Sequence, residues 1–476
     1  MLDNCDNKAT AAVLRHFEDI CAIPRISANT APIAAHLALF AQKRGLEYVR
    51  DEADNVIIKK PATAGYEDRP TVILQGHTDM VAAGSAEKVE AMKSQGVTLI
   101  REGDILRADG TTLGADNGIA VAYALALLES TDVPHPALEC VFTSNEEIGL
   151  LGAGALDTGL LSGKILINMD SGDEDIFTVG CAGGIRVDIS MPVCREKALG
   201  KYYSLSISGL LGGHSGVDIH KPLVNAIRAL GEALSALEDV RLVSLIGGLA
   251  DNAIPAVASA VFISAQDEKS MADAVKELEE KFRRTEDGAR LVLSECDGLA
   301  DALDAHSTKG VLSLISSAPC GVIAMNGRIA DLVETSANVG CAELSEKDFN
   351  LTVSIRSSID SSKHKVLSNL KKIAEDHNST VSTRGEYPGW AYREDSPLRD
   401  LFVSEYERLF GRSPTVTTIH AGLECGILAS KIPDLDCISI GPSMKNIHTA
   451  EESLSIPSTE RINRLLISVL GKISAS

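Results

Sequence analysis

The stretch "PTVILQGHTDM" (70–80) combines a run of apolar residues with two polar groups, His77 and Asp79, that follow it directly. The apolar run is typical of a buried strand, and the polar groups come where that strand should end. The next segments alternate in the same way, with an apolar helical pattern in "NGIAVAYALALLES" (117–130) and a strand pattern in "ALECVFT" (137–143). This alternation predicts an α/β fold in which a mostly parallel sheet is flanked by helices.

The alternation continues in a helix-like stretch, "LLGAGALDTGLL" (150–161), and returns near the C-terminus in the strand-like "LDCISIGP" (435–442). The middle of the chain differs, because strands such as "YYSLSISG" (202–209) there show period-two alternation and are separated by amphipathic helices. We therefore predict a main domain with an inserted α+β domain. The predicted boundaries are 1–185 and 387–476 for the two parts of the main domain and 186–386 for the insertion.

The composition indicates a globular protein that binds neither nucleic acid nor membranes. The chain has 476 residues, of which 45% are hydrophobic, and a formal net charge of -21. An acidic chain lacks the concentrated Lys and Arg that phosphate backbones and anionic lipids require. The N-terminal residues do not read as a leader segment, no apolar run reaches membrane-spanning length, and the ten cysteines are scattered as reduced thiols usually are. We therefore predict a soluble, cytoplasmic protein, and the absence of a GxGxxG or P-loop motif argues against a nucleotide enzyme.

Acidic residues recur where predicted strands end or helices begin. The carboxyl ends of parallel strands meet at one edge of a sheet, so these side chains should lie close together. Like charges gathered there repel each other strongly unless a cation lies between them. The sequence therefore predicts a metal site at this edge. The candidate residues are His77, Asp79, Asp116, Glu146, Glu147 and Asp170.

The types of side chain limit the metal. Mixed imidazole and carboxylate ligands suit zinc, manganese or cobalt, whereas calcium and magnesium prefer oxygen alone. A further histidine, His448, follows a strand that should return to the same sheet. These groups suffice for two ions about 3.5 to 4 Å apart with one bridging carboxylate. Glu146 is then left over as a base.

Each of these residues also has an ordinary structural explanation. A single His-x-Asp pair arises often by chance, and an adjacent pair of glutamates is usually a solvated surface. Asp116 could cap the helix that follows it, and His448 could be an ordinary loop residue. The metal interpretation therefore rests on the residues taken together, because all the acidic residues fall at the ends of predicted strands or helices in consecutive units.

The chain also resembles a known family. The series "GHTDM", "DGTTLGADNGIA", "SNEEIG", "LINMD" and "IHTAEE" is similar to the two-zinc exopeptidases that include aminoacylase and carnosinase. Further segments resemble the bacterial aminoacyl-histidine dipeptidase branch of that family, in order from about residue 18 to 456. Those segments are "GGHSGVDIH", "NAIP", "VETSANVG", "SIRSSIDS", "YPGW" and "IHAGLECGIL".

The resemblance implies a role for each candidate in the main domain, which would be the catalytic domain. His77, Asp116 and Asp170 would hold one zinc ion, and Asp116, Glu147 and His448 would hold the other. Asp79 would orient His77, as carboxylates often do for metal-bound imidazoles. Glu146 would be the general base, and the peptide bond between Asp116 and Asn117 would be cis.

The resemblance further implies that the inserted domain is a lid or dimerisation domain of a homodimer. His214 would contact the substrate carbonyl across the dimer interface, and Asn252 and Arg356 would bind the terminal carboxylate of a dipeptide. The expected activity is hydrolysis of Xaa-His dipeptides. Hydrolysis of N-acyl amino acids or tripeptides and a non-catalytic metal-binding role are the alternatives. One departure bears on substrate preference, because many relatives have Ser-Pro where this chain has Thr449 and Ala450.

Overall fold

The computed structural model describes residues 8–298, 300–327, 329 and 332–474, so the outermost residues of the predicted main domain, 1–7 and 475–476, lie outside the described residues. The chain divides into two compact units. The first unit comprises Met1–Cys181, Trp390–Thr418 and Leu423–Ser476, and the second comprises Ala182–Gly389 and Ile419–Gly422.

An eight-stranded sheet forms the centre of the first unit, as far as the described residues show. Its four central strands pair in parallel, and the edge strands whose register is known pair in antiparallel fashion. The predicted α/β class is confirmed, with the parallel pairing confined to the middle of the sheet. In spatial order the strands are Glu47–Arg50, Val56–Lys60, Leu138–Thr143, Val72–His77, Ile165–Asn168, Asp436–Ser439, Ile176–Cys181 and Thr415–Ile419.

Helices cover this sheet and enclose its apolar side chains. The helix Ala115–Glu129 is buried along nearly its whole length because it packs between the strand Val72–His77 and the helix Lys8–Cys21. That position explains why its sequence is apolar all round and not striped. The other helices of the unit are Ala31–Arg44, Ala86–Met92, Leu151–Ala155, Pro397–Phe410, Glu424–Lys431 and Ile456–Lys472, with a 3-10 turn at Thr158–Leu160. A small sheet joins Leu99–Glu102, Ile105–Ala108, Ser453–Ser455 and Met444–Lys445.

The second unit is built on a nine-stranded sheet, counted over its described residues. All of its pairings with known register are antiparallel, and the buried side chains of the sheet form a core with the helices of the unit. The strands are Gly183–Pro192, Lys201–Ser208, Arg241–Gly247, Ala258–Ser264, Arg290–Cys296, Gly321–Met325, Val333–Leu344, Asp348–Ser357 and Thr380–Tyr387. The helices are Ala226–Ser235, Glu268–Arg283, Ala305–Ser317 and Asp360–Asp376. Two short strand pairs join Arg195–Glu196 to Ala302–Leu303 and Gly213–His214 to Ala253–Ile254.

Over the residues described, none of the helices combines the length and the apolar character that crossing a membrane requires.

Candidate metal and catalytic site

The site in the first unit lies where the central strands end. His77 is the last residue of its strand, and the strand Leu138–Thr143 leads into the loop that carries Glu146 and Glu147. Asp170 lies two residues beyond the strand Ile165–Asn168. Asp116 belongs to the first turn of the helix Ala115–Glu129, and His448 belongs to the loop between Met444–Lys445 and Ser453–Ser455. Parallel strands therefore bring residues that are far apart in sequence to one edge of the sheet.

The side chains at this edge are close together. His77 Nε2 lies 3.1 Å from Asp116 Oδ1 and 3.6 Å from Asp170 Oδ1. His448 Nε2 lies 3.3 Å from Asp116 Oδ2 and 2.8 Å from Glu147 Oε1. Asp116 therefore directs one carboxylate oxygen toward each histidine.

Three groups of potential metal ligands occur among the described residues, each with its ligand atoms within 4.8 Å of one another. The first is His77, Asp116 and Asp170, and the second is Asp116, Glu147 and His448. These two groups share Asp116 and together contain the five residues that the sequence analysis assigns to the ions. The third group is His77, Glu146 and Glu147, so distance alone does not separate Glu146 from the ligands.

The electrostatics of the site favour a cation. Burial raises the pKa of Glu146 to about 8 and raises the pKa of Asp170 well above its usual range. Burial also opposes ionisation of Asp116, but hydrogen bonds from His448 and His77 outweigh it and hold the pKa of Asp116 low. Hydrogen bonds to Asp116 and Glu147 raise the pKa of His448 to about 10. The site thus gathers several buried carboxylates whose negative charge is costly without a nearby positive charge. Divalent ions suit such a set of imidazole and carboxylate ligands.

Asp79 links two parts of the site. Its carboxylate is fully buried, and its Oδ1 lies 3.4 Å from His77 Nδ1. The same carboxylate accepts hydrogen bonds from the backbone N–H groups of Glu146 at 2.9 Å and Glu147 at 3.3 Å. Asp79 therefore contacts the loop of the two glutamates as well as His77, and only the contact with His77 was expected from the sequence.

The backbone at Asp116 departs from helical geometry. The peptide bond between Asp116 and Asn117 is cis, so that prediction is confirmed. Asn117 is fully buried, and its side chain accepts a hydrogen bond from His77 N and donates one to Met169 O.

Two buried glutamates near the site were not predicted from the sequence. Glu424 Oε2 accepts hydrogen bonds from Gln75 Nε2 at 2.5 Å and Thr143 Oγ1 at 2.7 Å, and burial raises the pKa of Glu424 to about 7. Glu452, which is 2% exposed, accepts four backbone hydrogen bonds around Asp116. A sequence signal existed for Glu452, because it lies four residues after His448 and follows another glutamate.

The remaining predicted residues, His214, Asn252 and Arg356, belong to the second unit. The short strand pair joins the segments that carry His214 and Asn252, and Ser215 N donates to Asn252 O at 2.8 Å. Arg356 is 7% exposed and donates from Nη1 to Tyr387 Oη at 2.9 Å. The buried Nε of Arg356 has no hydrogen-bond partner among the described residues. A buried guanidinium with an unused donor is suited to an anionic ligand.

His214 is held as a neutral imidazole. Its Nδ1 accepts backbone hydrogen bonds from Gly216 N at 3.2 Å and Val217 N at 3.0 Å. An Nδ1 that accepts hydrogen bonds carries no proton, so the proton of the ring lies on Nε2. Burial and the nearby Arg356 lower the pKa of His214, which keeps the ring in this form at neutral pH. His214 can therefore donate one hydrogen bond from Nε2.

Comparison with known proteins places the chain in a family. Residues 73–472 match the model of peptidase family M20/M25/M40. The chain belongs to this family. It is 36% identical over 469 residues to the cytosol non-specific dipeptidase of Escherichia coli (strain K12), covering 96% of this chain and 97% of that relative.

Solved structures agree with this membership. The crystal structure of aminoacylhistidine dipeptidase from Vibrio alginolyticus matches with a TM-score of 0.91 and 32% sequence identity, over 100% of this chain and 99% of that one. An aminopeptidase from Bacillus cereus matches with a TM-score of 0.58 and 15% identity over 98% of both chains, which shows the shared fold alone. The predictions of a peptidase and of the family resemblance are thus confirmed.

Proposed function

We propose that the chain is a two-metal dipeptidase. The observation that carries the proposal is the pair of ligand groups that share Asp116. His77, Asp116 and Asp170 would hold one ion, and Asp116, Glu147 and His448 would hold the other. When bound, such ions acidify a water molecule and polarise the carbonyl of the scissile bond. Zinc is the proposed metal, and manganese and cobalt also suit these ligands.

Glu146 is the proposed general base. It is a half-buried residue next to the ligands, and the raised pKa of its carboxyl group indicates an affinity for protons well above that of an ordinary glutamate. A base with a pKa near the working pH transfers protons efficiently in both directions. Glu146 would take a proton from the attacking water and return it to the amine of the leaving residue.

His214 is proposed to stabilise the transition state. A neutral imidazole with its proton on Nε2 can donate to the carbonyl oxygen of the substrate as negative charge develops there. We assign the second unit the role of a lid and dimerisation domain in a homodimer. His214 would then act on the site of the neighbouring subunit.

Arg356 and Asn252 are proposed to bind the terminal carboxylate of the substrate. The guanidinium of Arg356 is buried and keeps an unused donor, and Arg pairs with carboxylates through charge-assisted hydrogen bonds. Recognition of a free terminal carboxylate would confine cleavage to the peptide bond nearest the C-terminus, which is the one bond of a dipeptide. The names of the two close relatives, one a non-specific dipeptidase and one an aminoacylhistidine dipeptidase, support dipeptides as substrates and Xaa-His as the first candidates. The cytosol named for the first relative is the proposed compartment.

A panel of substrates tests this function. Purified protein loaded with zinc, manganese or cobalt is assayed with carnosine, several Xaa-His dipeptides, other dipeptides, tripeptides and N-acetyl amino acids. We expect the highest kcat/KM for dipeptides, with Xaa-His among the best. A preference for N-acetyl amino acids or tripeptides would replace the dipeptidase proposal with another hydrolase of the family. Absence of hydrolysis with every metal would support a non-catalytic metal-binding role.

Arg356→Gln is expected to lower kcat/KM for dipeptides by roughly 10- to 100-fold, because a hydrogen bond to a charged group contributes about 1.5 to 3 kcal/mol. The decisive comparison uses a dipeptide and its C-terminal amide. The wild-type protein should prefer the free acid strongly, and the variant should have lost most of that preference. Arg384→Gln is the matched control, because Arg384 is an exposed arginine of the same unit that already pairs with Asp188 and Asp251. An unchanged preference in Arg356→Gln would contradict the assignment.

A further inference from the structure

The carboxylate of Glu452 accepts hydrogen bonds from four consecutive backbone N–H groups. Its Oε2 accepts from Leu113 N and Gly114 N, both at 2.9 Å. Its Oε1 accepts from Ala115 N at 2.9 Å and Asp116 N at 3.2 Å. These N–H groups surround the start of the helix Ala115–Glu129, which has no side-chain cap from its own N-cap residue, Gly114. Glu452, which lies 337 positions after Ala115 in the sequence, therefore caps this helix.

The loop that carries Glu452 also carries His448. Thr449 N donates to Asn446 O at 3.2 Å and Glu452 N donates to Thr449 O at 3.1 Å, so the loop is a sequence of tight turns. His448 Nε2 lies 3.3 Å from the side chain of Asp116, while Glu452 binds the backbone N–H of the same residue. The loop thus contacts Asp116 at two points, one on its side chain and one on its backbone.

Arg25 binds a carbonyl group of the segment 113–116, the segment whose N–H groups bind Glu452. It is 2% exposed, and its Nη1 donates to Thr78 O at 3.1 Å while its Nη2 donates to Gly114 O. Thr78 follows His77 directly, so Arg25 connects the segment after His77 to the segment before Asp116. Gly114 has φ 69°, and a Cβ atom there would lie 2.4 Å from Arg25 Nη2, so only glycine fits. Within the segment 113–116, the N–H groups therefore bind the buried carboxylate of Glu452, and the C=O group of Gly114 binds the buried guanidinium of Arg25.

We propose that Glu452 is a positioning residue that fixes Asp116 relative to His448 before any ion binds. The proposal rests on the two-metal function, since it assigns Asp116 and His448 to one ion. Groups that hold metal ligands in place typically change metal affinity by roughly 10- to 100-fold when they are replaced. Glu452 touches neither substrate nor ligand side chains in this assignment, so it acts through the backbone of Asp116.

Glu452→Gln tests the proposal, with Glu451→Gln as the matched control. The glutamine has the shape of the glutamate, but its amide nitrogen is a donor and would face two N–H groups that need an acceptor. Glu451 is the adjacent residue, and its side chain is 79% exposed. Zinc is titrated into each metal-free protein and the heat of binding is measured. We expect Glu452→Gln to bind at least one of the two ions roughly 10- to 100-fold less tightly, and Glu451→Gln to stay within about twofold of the wild type.

The dependence of rate on metal concentration separates positioning from a merely structural role. For Glu452→Gln, the zinc concentration that gives half of the maximal rate should rise, and kcat at saturating zinc should recover to near the wild-type value. A lower melting temperature with unchanged zinc affinity would show that Glu452 stabilises the fold only, and would overturn the proposal. If the wild-type protein itself does not bind two ions, that result contradicts the two-metal function, and the positioning role falls with it.

A measurement on the wild-type protein covers the case in which Glu452→Gln does not fold. Hydrogen exchange of the amides of Leu113, Gly114, Ala115 and Asp116 is followed in the metal-free protein. Bonds to a buried carboxylate should protect these four amides about as well as those in the middle of the same helix. Fast exchange at these positions without metal would show that the turn is not fixed in advance, and would overturn the proposal.

Discussion

Glu146→Gln is expected to retain both metal ions and to lose roughly 10²- to 10⁴-fold in turnover, the usual contribution of a general base. Glutamine keeps the size of the side chain but cannot take a proton from water. The loss should appear in kcat at saturating metal and substrate. Metal content is measured on the same preparation by elemental analysis, because Glu146 also lies within ligand distance of His77 and Glu147.

Glu147→Gln is the matched comparison for this experiment, since it changes the adjacent residue in the same way. Its Oε1 lies 2.8 Å from His448 Nε2, and it belongs to the group that includes Asp116 and His448. We expect Glu147→Gln to weaken metal binding directly. If Glu146→Gln loses metal to a similar extent, Glu146 is a ligand and the assignment of the base is wrong.

His214→Ala is expected to bind zinc and to dimerise like the wild type while losing roughly 10²- to 10³-fold in rate, the range for one donor to a developing oxyanion. The geometry supports this role because the backbone N–H groups of Gly216 and Val217 leave the proton of the ring on Nε2. His420→Ala is an informative comparison. That histidine of the same unit is buried and already bonded to Ser336 Oγ at 2.8 Å. An unchanged rate in His214→Ala would remove this histidine from the mechanism.

A mixed dimer tests whether His214 acts across the interface. One subunit carries His214→Ala and the other carries Glu146→Gln. If His214 acts in trans, the subunit with its own Glu146 receives an intact His214 from its partner, so each mixed dimer should show about half of the wild-type activity. If His214 acts in cis, one site lacks His214 and the other lacks Glu146, so neither site is fully active. No recovery of activity, with subunit exchange verified, would contradict the cross-subunit role.

The sequence predicts those features of the fold and site that depend on local patterns. His77 and Asp170 follow apolar runs that are long enough to be strands, and parallel strands place such residues at one edge. The apolar segment after Asp116 is likewise a recognisable helix. The residues at the ends of these strands and helices could therefore be assigned to one site from the sequence pattern alone, before any distance was known.

Other features depend on contacts between distant parts of the chain. Glu452 caps a helix that begins 337 residues earlier, at Ala115, and Glu424 bonds to Gln75 at a separation of 349 residues. No local pattern identifies these distant partners. Glu424 looks like an ordinary surface glutamate, and the position of Glu452 four residues after His448 marks the residue without showing what it contacts. The helix-like stretch 150–161 forms only the short helix Leu151–Ala155 and a 3-10 turn that Asp157 caps. Its glycines weaken helix propensity, which the apolar pattern alone does not reveal.

Metal removal and restoration test the central proposal most directly. The protein is freed of metal with a chelator, and its hydrolysis of an Xaa-His dipeptide is measured while zinc is added back stepwise. We expect no measurable hydrolysis in the metal-free protein and full activity once two ions are bound per chain, as the proposed two-metal site with Asp116 in both ligand groups requires. Activity that survives complete removal of metal, or that reaches its maximum with one ion per chain, would contradict the two-metal account.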